Sequence, residues 1–262
     1  MEKKNQPIGI FDSGVGGLSV WKELVKSLPN ESVIYYADNA NCPYGPKSKE
    51  NIIELASRVV EFLISKDCKI IVVACNTATA AAIEFLRTNY SLPFIGMEPA
   101  VKPAAQNSKT KSIAVLATEG TFNGKLYIET SRKYAKDVVL NIKVGDKLVD
   151  IVENGLIDDP FTEKHLASLV KPLIEKNIDH LVLGCTHYPF LLEKLKKVLP
   201  DNVMIIDPAP AVIKQTIKIL EQNNLLNNSK SQFYEFYSSG NFEVLQGILK
   251  NITNKDYIVK KI

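Results

Sequence analysis

Apolar positions along this chain follow two rhythms. Short runs rich in β-branched residues alternate with longer stretches whose apolar positions recur at helical spacing. The short runs Ile8–Phe11, Val33–Ala37, Ile70–Ala74, Phe94–Gly96, Ile113–Ala117, Leu181–Leu183 and Met204–Ile206 are predicted strands. Between them, Trp21, Leu24, Val25 and Leu28 fall on one helical face, and Ile52, Leu55, Ala56, Val59, Val60 and Leu63 make a longer stripe. Asp159-Pro160 supplies an N-cap and a first-turn proline for a helix ending near Lys176. Strand and helix in alternation predict an α/β architecture with mostly parallel sheets.

Two stretches interrupt the alternation: Met97 to Pro103, after the fourth strand, and Asp207-Pro208-Ala209-Pro210, after the seventh. Read as hinges, they divide the chain into a first lobe of residues 1–99 with 208–262 and a second of 100–207. The Asn-rich stretch Asn223–Ser229 is expected to be an exposed loop.

Composition narrows the function classes. With 45% hydrophobic and 23% charged residues among 262, the chain is neither disordered nor fibrous. Its 32 basic and 29 acidic side chains leave a net charge of only +3, and the lysines are scattered, so nucleic acid is not an expected partner. The longest charge-free apolar stretch, Ile70 to Ile83, falls short of the roughly 18 residues a membrane span needs. The basic N-terminus leads into too short an apolar run for a secretory signal, and the expected location is the cytoplasm. The 4 cysteines show no Cys-x-x-Cys spacing, so free thiols are expected rather than a disulfide scaffold or a zinc site.

Two of these thiols stand in matching places. Ile71-Val72-Val73-Ala74-Cys75-Asn76-Thr77 and Leu181-Val182-Leu183-Gly184-Cys185-Thr186-His187 share one grammar: apolar strand, small residue, cysteine, two polar residues. Ligands of doubly wound sheets sit outside the carboxyl ends of the strands, where helix N-termini favour thiolate. Two thiols facing each other across a cleft suit inversion of a stereocentre, one taking a proton from one face while the other delivers one to the opposite face. An ordinary thiol pKa of about 8.5 is tunable by neighbouring charges, and Asp12, His187 and a carboxylate such as Glu153 are candidate tuners. A Cys/His hydrolase needs one nucleophile and one base, which leaves the second strand-end cysteine without a role. Cys42 and Cys68 read as bystanders, and His165 and His180 as surface residues.

The turn Asp12-Ser13-Gly14-Val15-Gly16-Gly17-Leu18-Ser19 approximates a dinucleotide fingerprint, with Asp38 after the second strand, but Asp12-Ser13 intervenes and the last glycine is missing. It reads better as a loop whose amides, with Ser13, hold a small carboxylate. The turn-rich segment Asp38 to Pro46 offers further amides and the Tyr44 hydroxyl. A non-catalytic carboxylate sensor would use the same loops but would not need both thiols.

Ile8 to Leu18, Asp38 to Gly45, Val73-Ala74-Cys75-Asn76-Thr77-Ala78-Thr79 and Leu183-Gly184-Cys185-Thr186-His187-Tyr188-Pro189, in this order, resemble the glutamate racemases of bacterial cell-wall synthesis. The resemblance covers nearly the whole chain. It implies two doubly wound lobes related by a pseudo-two-fold, with the active site in the cleft between them. It also implies cofactor-independent interconversion of L- and D-glutamate, supply of D-glutamate for peptidoglycan, and a homodimer. By resemblance, Cys75 acts on D-glutamate with help from Asp12, and Cys185 on L-glutamate with help from His187 and Glu153. Ser13, Tyr44, Gly45, Asn76, Thr77 and Thr186 would bind the substrate, with Asp12 and His187 beside it and Thr118 and Thr121 contributing from the second lobe. Many members carry a Cys-Pro pair where Gly145-Asp146 stands here, so Asp150 remains an alternative to Glu153. A relative acting on aspartate or another small acid is the neighbouring possibility.

Overall fold

The run beginning at Ile8 becomes the central strand of a sheet. β1 (Ile8–Asp12) is buried at every position and lies parallel to β2 (Val33–Ala37) on one side and β3 (Ile70–Val73) on the other, with Ile8 opposite both Val33 and Ile70. β4 (Phe94–Gly96) pairs with β3, while β9 (Tyr234–Ser238) and then β10 (Ile258–Lys261) extend the β2 side. A second parallel sheet is centred on β5 (Ser112–Ala117), with β6 (Val139–Val144) on one side and β7 (His180–Gly184) then β8 (Met204–Ile206) on the other. The computed structural model describes residues 2–98, 100–228 and 231–262. The expected lobe boundary at Pro99 and the loop end at Ser229 lie outside them.

Both sheets repeat one order: β2-β1-β3-β4 in the first and β6-β5-β7-β8 in the second. β3 and β7 are therefore equivalent strands, and Cys75 and Cys185 follow them at equivalent places. The helices are α1 (Leu18–Ser27), α2 (Lys49–Ser65), α3 (Asn76–Asn89), α4 (Val101–Asn107), α5 (Glu119–Phe122), α6 (Lys125–Tyr134), α7 (Leu148–Glu153), α8 (Pro160–Ile174), α9 (Leu192–Val198), α10 (Ala209–Gln222) and α11 (Glu243–Ile252). They cover both faces of each sheet. Alternation along β1 sends Ile8 and Ile10 into a core shared with Trp21, Leu24 and Val212, and Phe11 into another with Ile52, Leu63 and Leu86. In the second sheet, Leu116 and Leu183 join the first of these cores, while Ile113, Val115 and Val182 pack against α4 and Tyr127. The predicted stripe on α2 is buried throughout, as are Trp21, Leu24 and Val25 on α1, whereas Leu28 lies just past the end of α1 and is half-buried; the Asp159 side chain caps α8 by accepting from the Phe161 N–H.

Three strands carry no continuous apolar run. β6 inverts the usual pattern: Asn141 is buried, donating to the Ser112 hydroxyl and the Ile113 carbonyl, while Val139, Ile142 and Val144 are exposed. β10 is a largely exposed edge strand. β9 is held by its aromatics, Tyr234 and Phe236 lying edge-on to the fully buried Trp21. His180 is not a surface residue. It opens β7, buried, with Nδ1 2.7 Å from Asp179 Oδ1. His165 is half-buried, stacked on Phe161. The Asn-rich loop is likewise anchored at buried Asn227, whose N–H donates to Glu31. Among the described residues no helix is long and apolar enough to cross a membrane.

Candidate active site

The carboxyl ends of the two sheets meet. Cys75 ends the chain's path out of β3 and stands as N-cap of α3, its sulfur accepting from the Ala78 N–H at 3.4 Å. Cys185 follows β7, with Sγ 3.6 Å from His187 Nδ1. Both thiols are buried, and both line one gap of about 20 Å³, together with Ser13, Tyr44, Gly45, Asn76, Thr77, Thr118, Thr186 and His187. That space is on the order of one water, so a ligand enters only if the two sheets part. A larger surface groove, about 1410 Å³ and bordered by Arg87, Glu98 and Lys125, contains neither thiol.

Asp12, fully buried at the end of β1, accepts from the Gly14 N–H and, across the cleft, from the Thr186 hydroxyl, each at 2.8 Å. Burial pushes its carboxyl up to about 6, against the opposing pull of His187, Thr186 and the Gly14 amide. Ser13 lies between Asp12 and Cys75, its hydroxyl 3.7 Å from the sulfur. Burial, then the Asp12 charge, pushes the Cys75 thiol up to about 12, so Cys75 rests as a proton donor.

On the other side Glu153, the last residue of α7, holds His187 Nε2 at 2.5 Å and also accepts from the Val15 N–H and the Asn39 side-chain amide. Burial works to raise the Glu153 carboxyl, but His187 and these donors outweigh it and hold the group below its ordinary value. Burial likewise works to lower His187, and is outweighed by Cys185, Cys42 and Glu153, which hold its proton well above the usual imidazole range. Asp150, one turn earlier, is exposed.

The glycine turn packs closely against the other side of the cleft. A Cβ on Gly14 would overlap the Glu153 carboxylate, and one on Gly16 would overlap the His187 ring. Two of the loop's amides thus go to the protein's own carboxylates, Gly14 to Asp12 and Val15 to Glu153. The Tyr44 hydroxyl donates to Asp38 at 2.6 Å. Thr77 and Thr118 join across the cleft at 2.8 Å, with Thr121 behind Thr118 at 3.0 Å. Asn76 offers a free polar group to the site: its buried side-chain oxygen and nitrogen have no partner among the described residues.

Two residues with no expected role also lie here. Asn39 reaches Glu153, and Cys42 brings its sulfur, with ligand atoms of Glu153 and His187, into a group within 4.8 Å of one another. The two imidazole nitrogens of His187 face Cys185 and Glu153. The turn-rich composition around Asn39 marks a loop but not the direction of its side chains. Cys68 lies apart under β1, and burial pushes its thiol up to about 12.

A family profile described as Asp/Glu/hydantoin racemase matches residues 8–216. A glutamate racemase of Herpetosiphon aurantiacus is 44% identical over 238 residues, covering 90% of this chain and 94% of that protein. Among solved structures, a glutamate racemase isoform from Bacillus anthracis superposes with TM-score 0.89 at 33% identity, covering 99% of this chain and 98% of the other. One from Francisella tularensis, in complex with D-glutamate, gives 0.85 at 31% identity, covering 99% and 98%.

Proposed function

The chain belongs to the Asp/Glu/hydantoin racemase family, and on that premise we propose that its cleft interconverts L- and D-glutamate with two thiols as acid and base. The activity is that of an amino-acid racemase, an isomerase, supplying D-glutamate for peptidoglycan. The observation that carries the reading is the pair of equivalent strand-end cysteines lining one closed gap.

In the L-to-D direction, the Cys185 thiolate removes the Cα proton while the protonated His187, held by Glu153, steadies the sulfur's charge before transfer. The Cys75 thiol, protonated at rest, delivers its proton to the opposite face of Cα. The product state carries a Cys185 thiol and a Cys75 thiolate, and the reverse reaction starts there. Asp12, adjacent through Ser13, serves the Cys75 side. The substrate's charged groups would meet Ser13, the Tyr44-Gly45 turn, Thr77, Thr118, Thr186 and the unpaired amide of Asn76, with Thr121 supporting Thr118. The proposed steps call on no cofactor.

Residues 1–99 with 208–262 and residues 100–207 are proposed as two lobes that part to admit substrate. Their sheet membership supports this, as do the bonds that would break on opening: Thr186 to Asp12, Val15 to Glu153 and Thr77 to Thr118. A cytoplasmic homodimer completes the proposal. Incubation with L-glutamate in D2O, without added cofactor, tests it: optical rotation and the Cα proton signal should vanish together. If neither changes while aspartate reacts, the substrate assignment is wrong; if no acidic amino acid reacts, the racemase reading is wrong.

A further inference from the structure

Glu153 sits on the second sheet's side of the cleft, yet two of its three hydrogen-bond donors come from the first. One is a backbone amide, fixed by the chain. The other is a side chain whose own orientation needs a cause, because an asparagine amide presents a donor or an acceptor depending on which way it is turned.

We propose that Asn39 is a positioning residue for the Cys185 thiol, acting through Glu153 and His187, and that Ser238 at the end of β9 anchors its amide oxygen. The proposal rests on the reading of Cys185 as one of the two acid/base groups. Ser238, fully buried, accepts from the Gly240 N–H at 3.3 Å, which leaves its hydroxyl proton free to be donated. It donates that proton to Asn39 Oδ1 at 2.8 Å. The Glu153 carboxylate can only accept, so it takes the Asn39 NH2 group, which donates to Oε2 at 2.9 Å, while the Ser238 hydroxyl holds the amide oxygen on the other side. Glu153 Oε1 meets His187 Nε2, and His187 Nδ1 meets Cys185 Sγ. The loop that carries Asn39 is tied to the same segment beyond β9: the Ala40 N–H donates to the Ser239 hydroxyl, which donates to Asp38. A directed row of hydrogen bonds thus runs from the strand end at Ser238 to the thiol. Asn39 does not line the gap between the cysteines, so its effect on the chemistry is indirect.

A neutral amide donor suits this position. It stabilises the Glu153 carboxylate, and through it the His187 proton, without adding a charge that would compete with the imidazolium. The titratable groups facing His187 are Glu153 from α7, Cys185 ahead of it, Cys42 from the loop after β2, and Asp12 at the end of β1. Asn39 bonds to Glu153 among them.

The test is an NMR titration of the His187 ring in the parent protein and in Asn39→Ala and Ser238→Ala, with racemisation measured alongside; the chain has only 3 histidines, so assignment is direct. In Asn39→Ala the His187 midpoint should fall, the alkaline limb of kcat/KM should move down with it, and kcat/KM should drop roughly 10- to 100-fold, as for a lost hydrogen bond to a charged group. Ser238→Ala should move all three the same way by less, and it stands in if Asn39→Ala does not fold. The two enantiomers have equal free energy in water, so kcat/KM falls equally in both directions. The isotope effect separates the two sides: it should grow with 2-deuterated L-glutamate and shrink with the D enantiomer. An unmoved His187 titration in folded Asn39→Ala overturns the proposal whatever the activity. A moved titration in a protein whose parent racemises nothing would sink the racemase reading and leave the Asn39–Glu153–His187 linkage standing.

Discussion

Asp12→Asn should make the protein more stable at neutral pH while disabling it. The folded chain raises the Asp12 carboxyl from 3.8 to about 6, chiefly by burial. A group held more tightly protonated in the folded state favours folding fully below its unfolded pKa, and that contribution is lost as pH rises through the folded value. Here the window runs from 3.8 to about 6, and the loss amounts to about 3 kcal/mol. Asparagine cannot titrate, so the variant escapes the loss. Its side chain also fits the contacts: the oxygen keeps the Gly14 N–H, and the NH2 faces Thr186, whose hydroxyl oxygen can accept. Urea unfolding of both proteins at a series of pH values is the assay. The stability difference in favour of Asp12→Asn should grow by about 2.5 kcal/mol from about pH 4 to about pH 8. Racemisation should fall on the order of a hundredfold or more, as for loss of an acid/base partner. A difference that is flat with pH, or a variant less stable than the parent at about pH 8, would refute the reasoning.

Glu153→Gln puts an NH2 group against the Val15 N–H or against the Asn39 amide, whichever way it turns, and removes the charge facing His187; racemisation should fall about a hundredfold or more. Exposed Asp150→Asn should leave it unchanged, and the opposite ranking in a kinetic assay would transfer the role to Asp150. Lys69 and Glu31 form a fully buried pair at 2.5 Å, so Lys69→Met should strand the Glu31 carboxylate and cost about 3–5 kcal/mol in chemical denaturation, with the activity of folded molecules intact. A loss below roughly 1 kcal/mol would mean the pair behaves like a surface ion pair.

What the sequence makes legible depends on whether a residue's role is written locally. Cys75 and Cys185 are readable because the strand, the small residue and the polar step surround each of them. Strands buried on both faces, such as β1 and β7, are readable because burial forces an apolar run. β6 is not, since its one buried position is an asparagine satisfied by Ser112 and Ile113. The glycines of the first turn are conspicuous, but the reason for two of them lies far along the chain, in the Glu153 carboxylate that needs the space at Gly14 and the His187 ring that needs it at Gly16. Glu153 and Asp150 share a short helix three positions apart, and only the packing of α7 decides which of them meets His187. His180 reads as a surface residue because the groups that draw its neighbour Asp179 inward, Ser108 and the loop amides before β5, lie far from it in sequence.

In the proposed mechanism each thiol serves one face of the substrate. Elimination of HCl from 3-chloroglutamate needs only one proton abstraction at Cα, so it reports on each base alone. Cys75→Ser should still eliminate chloride from the isomer with L configuration at Cα and not from the D isomer, Cys185→Ser should do the reverse, and neither should racemise glutamate. Two variants that treat the enantiomers alike, or either variant racemising at the parent rate, would contradict the two-thiol account.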